Sequence, residues 1–209
     1  GESITSLAAG SMNEDDPHEN IILRTEREFL VIGIVDTQIQ ILSRYPVDGE
    51  TRLLKGHDFD LDGDLDVFVG ANNANLGEYF AIYRNENGTL VKEQAIETDS
   101  TLKGNYPVDF LFDDINGDGY LELLVLTAAD TIQFYGNLEG QQFVFLVEKS
   151  IFPAGRLYSI ASGDFNQDGF IDIAGVFVNS DGLQLAVGYG DVDLGFEQKE
   201  IHVITENII

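Results

Sequence analysis

Residues 58–66 read DFDLDGDLD, five aspartates in nine positions, and an apolar run, VFVGA, follows at once. Carboxylates at that density repel one another unless a cation sits among them. The spacing suits one. Oxygen donors at positions 1, 3 and 5 of a tight loop converge on a point, and glycine at position 6 permits the positive φ that folds the chain back. A backbone carbonyl at position 7 and a carboxylate at position 9 then complete a shell. Six to eight oxygens at about 2.3–2.6 Å suit calcium, whereas magnesium demands a stricter octahedron and keeps more water.

The pattern recurs. DINGDGYLE at 114–122 and DFNQDGFID at 164–172 share with it the form D-x-[DN]-x-D-G-x-x-[DE]. A fourth copy, SMNEDDPHE at 11–19, keeps Asn13, Asp15 and Glu19 but opens on Ser11 and has Asp16 in the glycine position, so it is expected to bind metal weakly or not at all. An EF-hand loop starts in the same way but needs a bidentate acid at position 12 and helices on both sides. Position 12 here is Val69, Val125 and Gly175, inside apolar strand-like runs. That excludes EF-hands, and dockerin-type loops with them. Solvated Asx-turns remain the plain alternative for any single loop.

The elements that would carry these loops repeat with them. The four copies begin at residues 11, 58, 114 and 164, a spacing of roughly 50 residues, the length of a propeller blade. Ahead of each loop stand a glycine (Gly1, Gly49, Gly104, Gly155) and a short strand-like segment. After each comes a second such segment (NIILRT, DVFVGA, ELLVLT, DIAGVFV), then a third and a fourth. Asn87-Gly88, Gly136-Asn137 and Asp181-Gly182 read as turns between them. No helical period is present. The expected fold is all-β: a β-propeller of about four four-stranded antiparallel blades, near 1–48, 49–103, 104–154 and 155–209, forming one domain with the acidic loops between first and second strands. A generic β-sandwich is the weaker reading, because it does not require the fixed order of glycine, strand, loop and strand.

Composition narrows function. The 209 residues carry 37 acidic and 11 basic side chains, a formal charge of −26, which repels nucleic-acid backbones and anionic membranes. Neither nucleic-acid binding nor membrane insertion is expected, and no apolar run approaches the roughly 18 residues of a span. Cysteine is absent, which removes disulfides and thiolate chemistry. His18, His57 and His202 fall in different repeats and form no nucleophile-base motif. Asn87-Gly88-Thr89 fits a glycosylation sequon but reads first as a hairpin turn. Asn72, Asn73 and Asn75 read as turn residues, and Tyr106 and Tyr158, at the start of first strands, as packed aromatics.

The three full loops resemble those of the FG-GAP (VCBS-like) repeats found in integrin α-subunit β-propellers and related extracellular proteins. The Phe-Gly and Gly-Ala-Pro signatures are kept in part, as Gly70-Ala71-Asn72. The resemblance implies Ca²⁺ ligands Asp58, Asp60, Asp62 and Asp66 with the Asp64 carbonyl; Asp114, Asn116, Asp118 and Glu122 with that of Tyr120; and Asp164, Asn166, Asp168 and Asp172 with that of Phe170. It implies about three calcium ions, with Ser11, Asn13, Asp15 and Glu19 as a weak fourth set. Loop 58–66, with four ligand carboxylates against three, is expected to bind tightest. The expected function is a non-enzymatic extracellular or cell-surface module for adhesion, scaffolding or self-assembly, its partner a protein or another copy of itself. A lectin-like glycan receptor is the second reading and a hydrolase domain the third.

Overall fold

The computed structural model describes residues 6–13, 18–73, 77–97, 106–140, 142–191 and 193–203. They form four four-stranded sheets, each a meander of neighbouring antiparallel strands. The first holds β1 (Ser6–Ser11), β2 (Glu19–Arg24), β3 (Glu28–Val35) and β4 (Gln38–Pro46). The second holds β5 (Glu50–His57), β6 (Asp66–Asn73), β7 (Gly77–Glu86) and β8 (Thr89–Glu97). The third holds β9 (Pro107–Asp113), β10 (Glu122–Thr127), β11 (Ile132–Asn137) and β12 (Phe143–Lys149). The fourth holds β13 (Arg156–Gly163), β14 (Asp172–Asn179), β15 (Gly182–Gly190) and β16 (Phe196–Val203). The chain divides into two compact units, Gly1–Pro107 and Val108–Ile209, each carrying two sheets.

Why these segments are strands is visible in their residues. β2 alternates exposed Glu19 and Ile21 with buried Asn20 and Ile22, the period of a half-buried strand. β10 and β11 are buried throughout and read as continuous apolar runs around a few polar groups. Asn87 and Gly88 adopt positive φ angles of 53° and 89° and close the β7–β8 hairpin as a primed turn, the role expected for them. Gly136-Asn137 does not form a turn. Both residues end β11, and the chain reverses just beyond, where Gly140 has φ 74° and its N–H donates to Asn137 Oδ1 at 2.9 Å. Asn137 thus shapes a turn from the strand before it.

In the first unit the two sheets share a core built on Ile22, Phe29, Leu54, Val67, Val69 and Tyr83. Phe29 stacks on Tyr45 (4.9 Å between centroids) and meets Tyr83 edge-on at 4.9 Å. Each fully buried side chain of this size contributes about 1.5–3 kcal/mol. The acidic loop joins in, as Leu65 N–H donates to Ser11 O at 2.7 Å; between the sheets, Arg24 Nη1 of β2 donates to Thr51 O of β5 at 2.6 Å. In the second unit Leu124, Phe134, Leu157, Ile173 and Phe177 form the core. There Asp109 and Asp113 of β9 accept from Ser159 Oγ (2.9 Å) and Ser162 Oγ (2.5 Å) of β13, tying the two first strands together. Tyr158 departs from the packed role expected of it. It is exposed, with the Arg156 guanidinium 5.3 Å above its ring, while half-buried Tyr106 lies under Arg52 at 5.0 Å. Asn75 lies outside the described residues.

Candidate metal centre

Each full acidic loop joins the first strand of its sheet to the second: 58–66 spans β5 and β6, 114–122 spans β9 and β10, and 164–172 spans β13 and β14. The glycines at position 6 (Gly63, Gly119, Gly169) have φ of 97°, 91° and 91°, the positive angle the spacing called for. Position 4 is left-handed as well, in Leu61 (φ 63°), Gly117 (75°) and Gln167 (62°), beyond what the spacing called for. Two consecutive reversals wind the loop tightly enough to bring its odd-numbered side chains together. An apolar residue at position 2 anchors the first turn: Phe59 and Ile115 are buried, whereas Phe165 stays 50% exposed.

The position 1 carboxylate caps the loop from inside. Asp58 accepts from Asp62 N–H (3.1 Å) and Gly63 N–H (3.0 Å). Asp114 accepts from Asp118 N–H (3.0 Å) and Gly119 N–H (2.9 Å), and Asp164 from Asp168 N–H (3.1 Å) and Gly169 N–H (3.0 Å). Position 5 turns one oxygen to the amide of position 7 in each loop, at 3.1 Å for Asp62, 2.9 Å for Asp118 and 2.9 Å for Asp168. Position 9 is buried and ties loop to sheet. Asp66 accepts from Phe59 N–H (3.1 Å) and from Asn85 N–H of β7 (2.7 Å), and Asp172 accepts from Phe165 N–H (2.8 Å) and Gly190 N–H of β15 (3.0 Å). Glu122 accepts from the N–H groups of Ile115 (3.1 Å) and Asn116 (3.3 Å). Of these, only the bonds from position 5 to position 7 are Asx-turns; together the bonds organise the loop without consuming every oxygen.

What they leave over is most telling in loop 58–66. Ligand oxygens of Asp58, Asp60 and Asp66 lie within 4.8 Å of one another, a grouping found only here among the described residues. Asp60 Oδ1 and Asp64 Oδ1 are buried and have no hydrogen-bond partner. A buried carboxylate oxygen without a donor is costly, and a hard cation removes that cost. The site's electrostatics agree. Burial, reinforced by neighbouring aspartates, pushes the Asp66 carboxyl up to about 8 and the Asp64 carboxyl up to about 7, and raises Asp60 as well. Burial likewise pushes Glu122 up to about 7, with Asp118 adding to it. Asp64 was expected to offer only its carbonyl, so its buried side-chain oxygen is an addition. The residues fit a hard divalent ion bound by oxygen.

Loops 114–122 and 164–172 bring their expected residues together in another way. Asn116 Oδ1 accepts from Asp118 N–H (2.8 Å), and its Nδ2 donates to Asp118 Oδ2 (3.0 Å) and Glu122 Oε1 (3.2 Å). Asn166 Nδ2 donates to Asp168 Oδ2 at 2.7 Å. In each the amide NH₂ fills the place among the carboxylates, and the side chain must turn over to present its oxygen to a metal. A pocket of about 170 Å³, lined by Asp114, Asn116, Phe170 and Ile171 among others, separates the two loops. It is smaller than the roughly 300–1,000 Å³ of organic-ligand sites.

The first loop is built differently. In β1 and β2 Ser11 lies opposite Glu19 and Gly10 opposite Asn20, whereas His57 lies opposite Asp66 and Gly163 opposite Asp172. The loop is therefore one residue longer, and because side chains alternate, that step turns Glu19 to solvent and buries Asn20 in its stead. Ser11 Oγ donates to Asn13 O within the same turn (2.8 Å), and Asp15 lies outside the described residues. Sequence alignment on the acids did not find Asn20, because it places Glu19 in register with Asp66.

Sequence reading also missed Arg84. From β7 its Nη1 donates to Asp60 Oδ2 at 2.8 Å and its Nε to Glu93 Oε2 at 2.9 Å, with the guanidinium 5.4 Å above the Phe59 ring. The available signal was the aspartate at position 3, where the other full loops have asparagine.

Comparison with known proteins agrees with this geometry. A sequence profile of the FG-GAP-like repeat matches residues 58–125 and 114–175, more than half of the chain, each match opening on an acidic loop and running past the next. No curated protein sequence matches. Among solved structures, the crystal structure of BBS1N in complex with ARL6DN, soaked with lead, is similar with a TM-score of 0.59 at 13% identity, over 97% of this chain and 55% of that one. This chain thus spans about half the length of that structure's chain, and the likeness is one of fold. With four meandering sheets, it makes the architecture an all-β propeller of about four blades. On the repeat match and the loops it covers, the chain belongs to the FG-GAP-like repeat family.

Proposed function

We propose that this chain is a calcium-binding, non-enzymatic propeller module of an extracellular or cell-surface protein, working in adhesion, scaffolding or self-assembly. The observation that carries the calcium reading is the pair of buried carboxylate oxygens on Asp60 and Asp64 with no hydrogen-bond partner, inside a cluster of converging aspartates. In loop 58–66 the residues that would hold the ion are Asp58, Asp60, Asp62, Asp64 and Asp66. Asp114, Asn116, Asp118, Tyr120 and Glu122 would do so in the second full loop, and Asp164, Asn166, Asp168, Phe170 and Asp172 in the third. The ion would neutralise the clustered charge and lock the loop between two strands. Loop 11–19, with Glu19 turned outward, is left without an ion.

A binding role is supported by the surface as well. Ile34 (66% exposed) and Ile39 (79%) lie opposite each other on β3 and β4, and Ile41 beside them is also exposed. Apolar groups gathered in this way mark surfaces that meet other proteins. Isothermal titration of the chain with CaCl₂ tests the calcium reading. It is expected to show one site per full loop, with uptake at loop 58–66 lost on Asp66→Asn. No heat above dilution at millimolar Ca²⁺ would sink it. Analytical ultracentrifugation with and without calcium tests assembly.

A further inference from the structure

The third strands of blades two to four present one residue each at the same place beside the acidic loop. Asn85 N–H and Gly190 N–H donate to the position 9 carboxylates Asp66 and Asp172. Asn85 and Asn137 also correspond: each donates from Nδ2 to the carbonyl at position 8 (Leu65 at 3.3 Å, Leu121 at 3.1 Å) and accepts the N–H of the residue three further on. The residues just before these markers are Arg84, Gly136 and Tyr189. At loop position 3 the same blades carry Asp60, Asn116 and Asn166. Of these three blades, the one with a carboxylate at position 3 is the one with a guanidinium beside it.

The geometry of the pair is specific. Arg84 takes Asp60 Oδ2 at 2.8 Å and Glu93 Oε2 at 2.9 Å, so its fork is held from two sides, and the Phe59 ring covers it. The pair is shielded, with the Arg84 side chain 18% and the Asp60 side chain 9% exposed. Asp60 Oδ1, the other oxygen of the same carboxylate, is buried and has no partner. A charge pair removed from solvent is weakly screened, so the guanidinium acts strongly on any cation that joins the same carboxylate.

We propose that Arg84 is a resident counter-cation of loop 58–66, stabilising the loop without metal and lowering its affinity for a divalent ion. This rests on the calcium reading above and deepens it. Arg84 binds Asp60 through Oδ2 and leaves Oδ1 for the ion, but its charge opposes the arriving dication. The fourth ligand carboxylate therefore does not make this loop the tightest binder. Loops 114–122 and 164–172, with asparagine at position 3 and Tyr120 or Phe170 at position 7, carry two charges fewer and need no such residue.

The test uses the full chain with Asp114→Asn and Asp164→Asn, so that only loop 58–66 reports, titrated calorimetrically with CaCl₂ and melted in EDTA. Arg84→Gln is expected to tighten calcium binding about tenfold or more and to lower the melting temperature in EDTA. Arg84→Lys, which keeps the charge but not the fork, is expected to keep calcium binding near the parent. On a background of Asp60→Asn, which removes the carboxylate that Arg84 neutralises, the loss of melting temperature in EDTA on Arg84→Gln is expected to vanish. Unchanged or weaker binding in Arg84→Gln would overturn the proposal. If the parent binds no calcium, the calcium reading fails. The EDTA melts then decide the counter-cation role alone, through the loss on Arg84→Gln that should vanish beside Asp60→Asn.

Discussion

The buried acids of the loops give the metal-free protein an inverted response to pH. A carboxyl raised in the folded state binds its proton more tightly there than in the unfolded chain, whose acids titrate at about 4. Asp66 at about 8, Asp64 at about 7 and Glu122 at about 7 are all of this kind. Their contribution to stability is full below the unfolded value and is lost as pH rises through the folded ones, so the window runs from about pH 4 to pH 8. In chelator the melting temperature is therefore expected to fall between pH 5.5 and pH 8. With saturating calcium the fall should shrink or reverse, because the ion favours the charged carboxylates and expels their protons on binding. Melting curves at both pH values, with EDTA and with CaCl₂, check this. A metal-free protein that gains stability across that range would show that these acids are not held in their protonated form.

At the scale of elements, the loops are held by what lies under them. Phe59 and Phe165 occupy the same loop position, yet Phe59 is buried against Phe68 (edge-on at 5.2 Å) and Phe165 is half exposed. Phe59→Ala is expected to cost about 3–5 kcal/mol and Phe165→Ala within about 0.5, measured by urea denaturation in EDTA. Equal losses would mean that loop 164–172 is anchored as deeply as loop 58–66. The same contrast shows what was legible in the sequence. Strand order, the loops between first and second strands, and the glycines with positive φ followed from local pattern, since turn chemistry and period two are written in neighbouring residues. Arg84 was not legible, because the ion pair joins residues 24 positions apart that only the packing of β7 beside the loop unites. The exchange of Asn20 for Glu19 was not legible either. It depends on one residue of extra loop, and strand register is fixed by pairing rather than by the acids themselves.

For the whole molecule, calcium should act unevenly. The unit Gly1–Pro107 holds one full acidic loop and the unit Val108–Ile209 holds two, and each unit has its own apolar core. A site whose free calcium stands at about ten times its dissociation constant adds roughly 1.4 kcal/mol, so the first unit gains about 1.4 and the second about 2.8 kcal/mol. Against a typical total of about 5–15 kcal/mol these gains are large. Arg84 widens the difference, since it weakens the single site of the first unit. Hydrogen exchange of the core strands, compared in calcium and in EDTA, reads each unit separately through its own slowest amides. The strands β10, β11 and β14 are expected to gain protection about tenfold or more beyond that gained by β6 and β7. Equal gains in both units would mean that the loops do not bind independently. Protection confined to the loops would mean that calcium orders only the turns, and that the sheets stand without it.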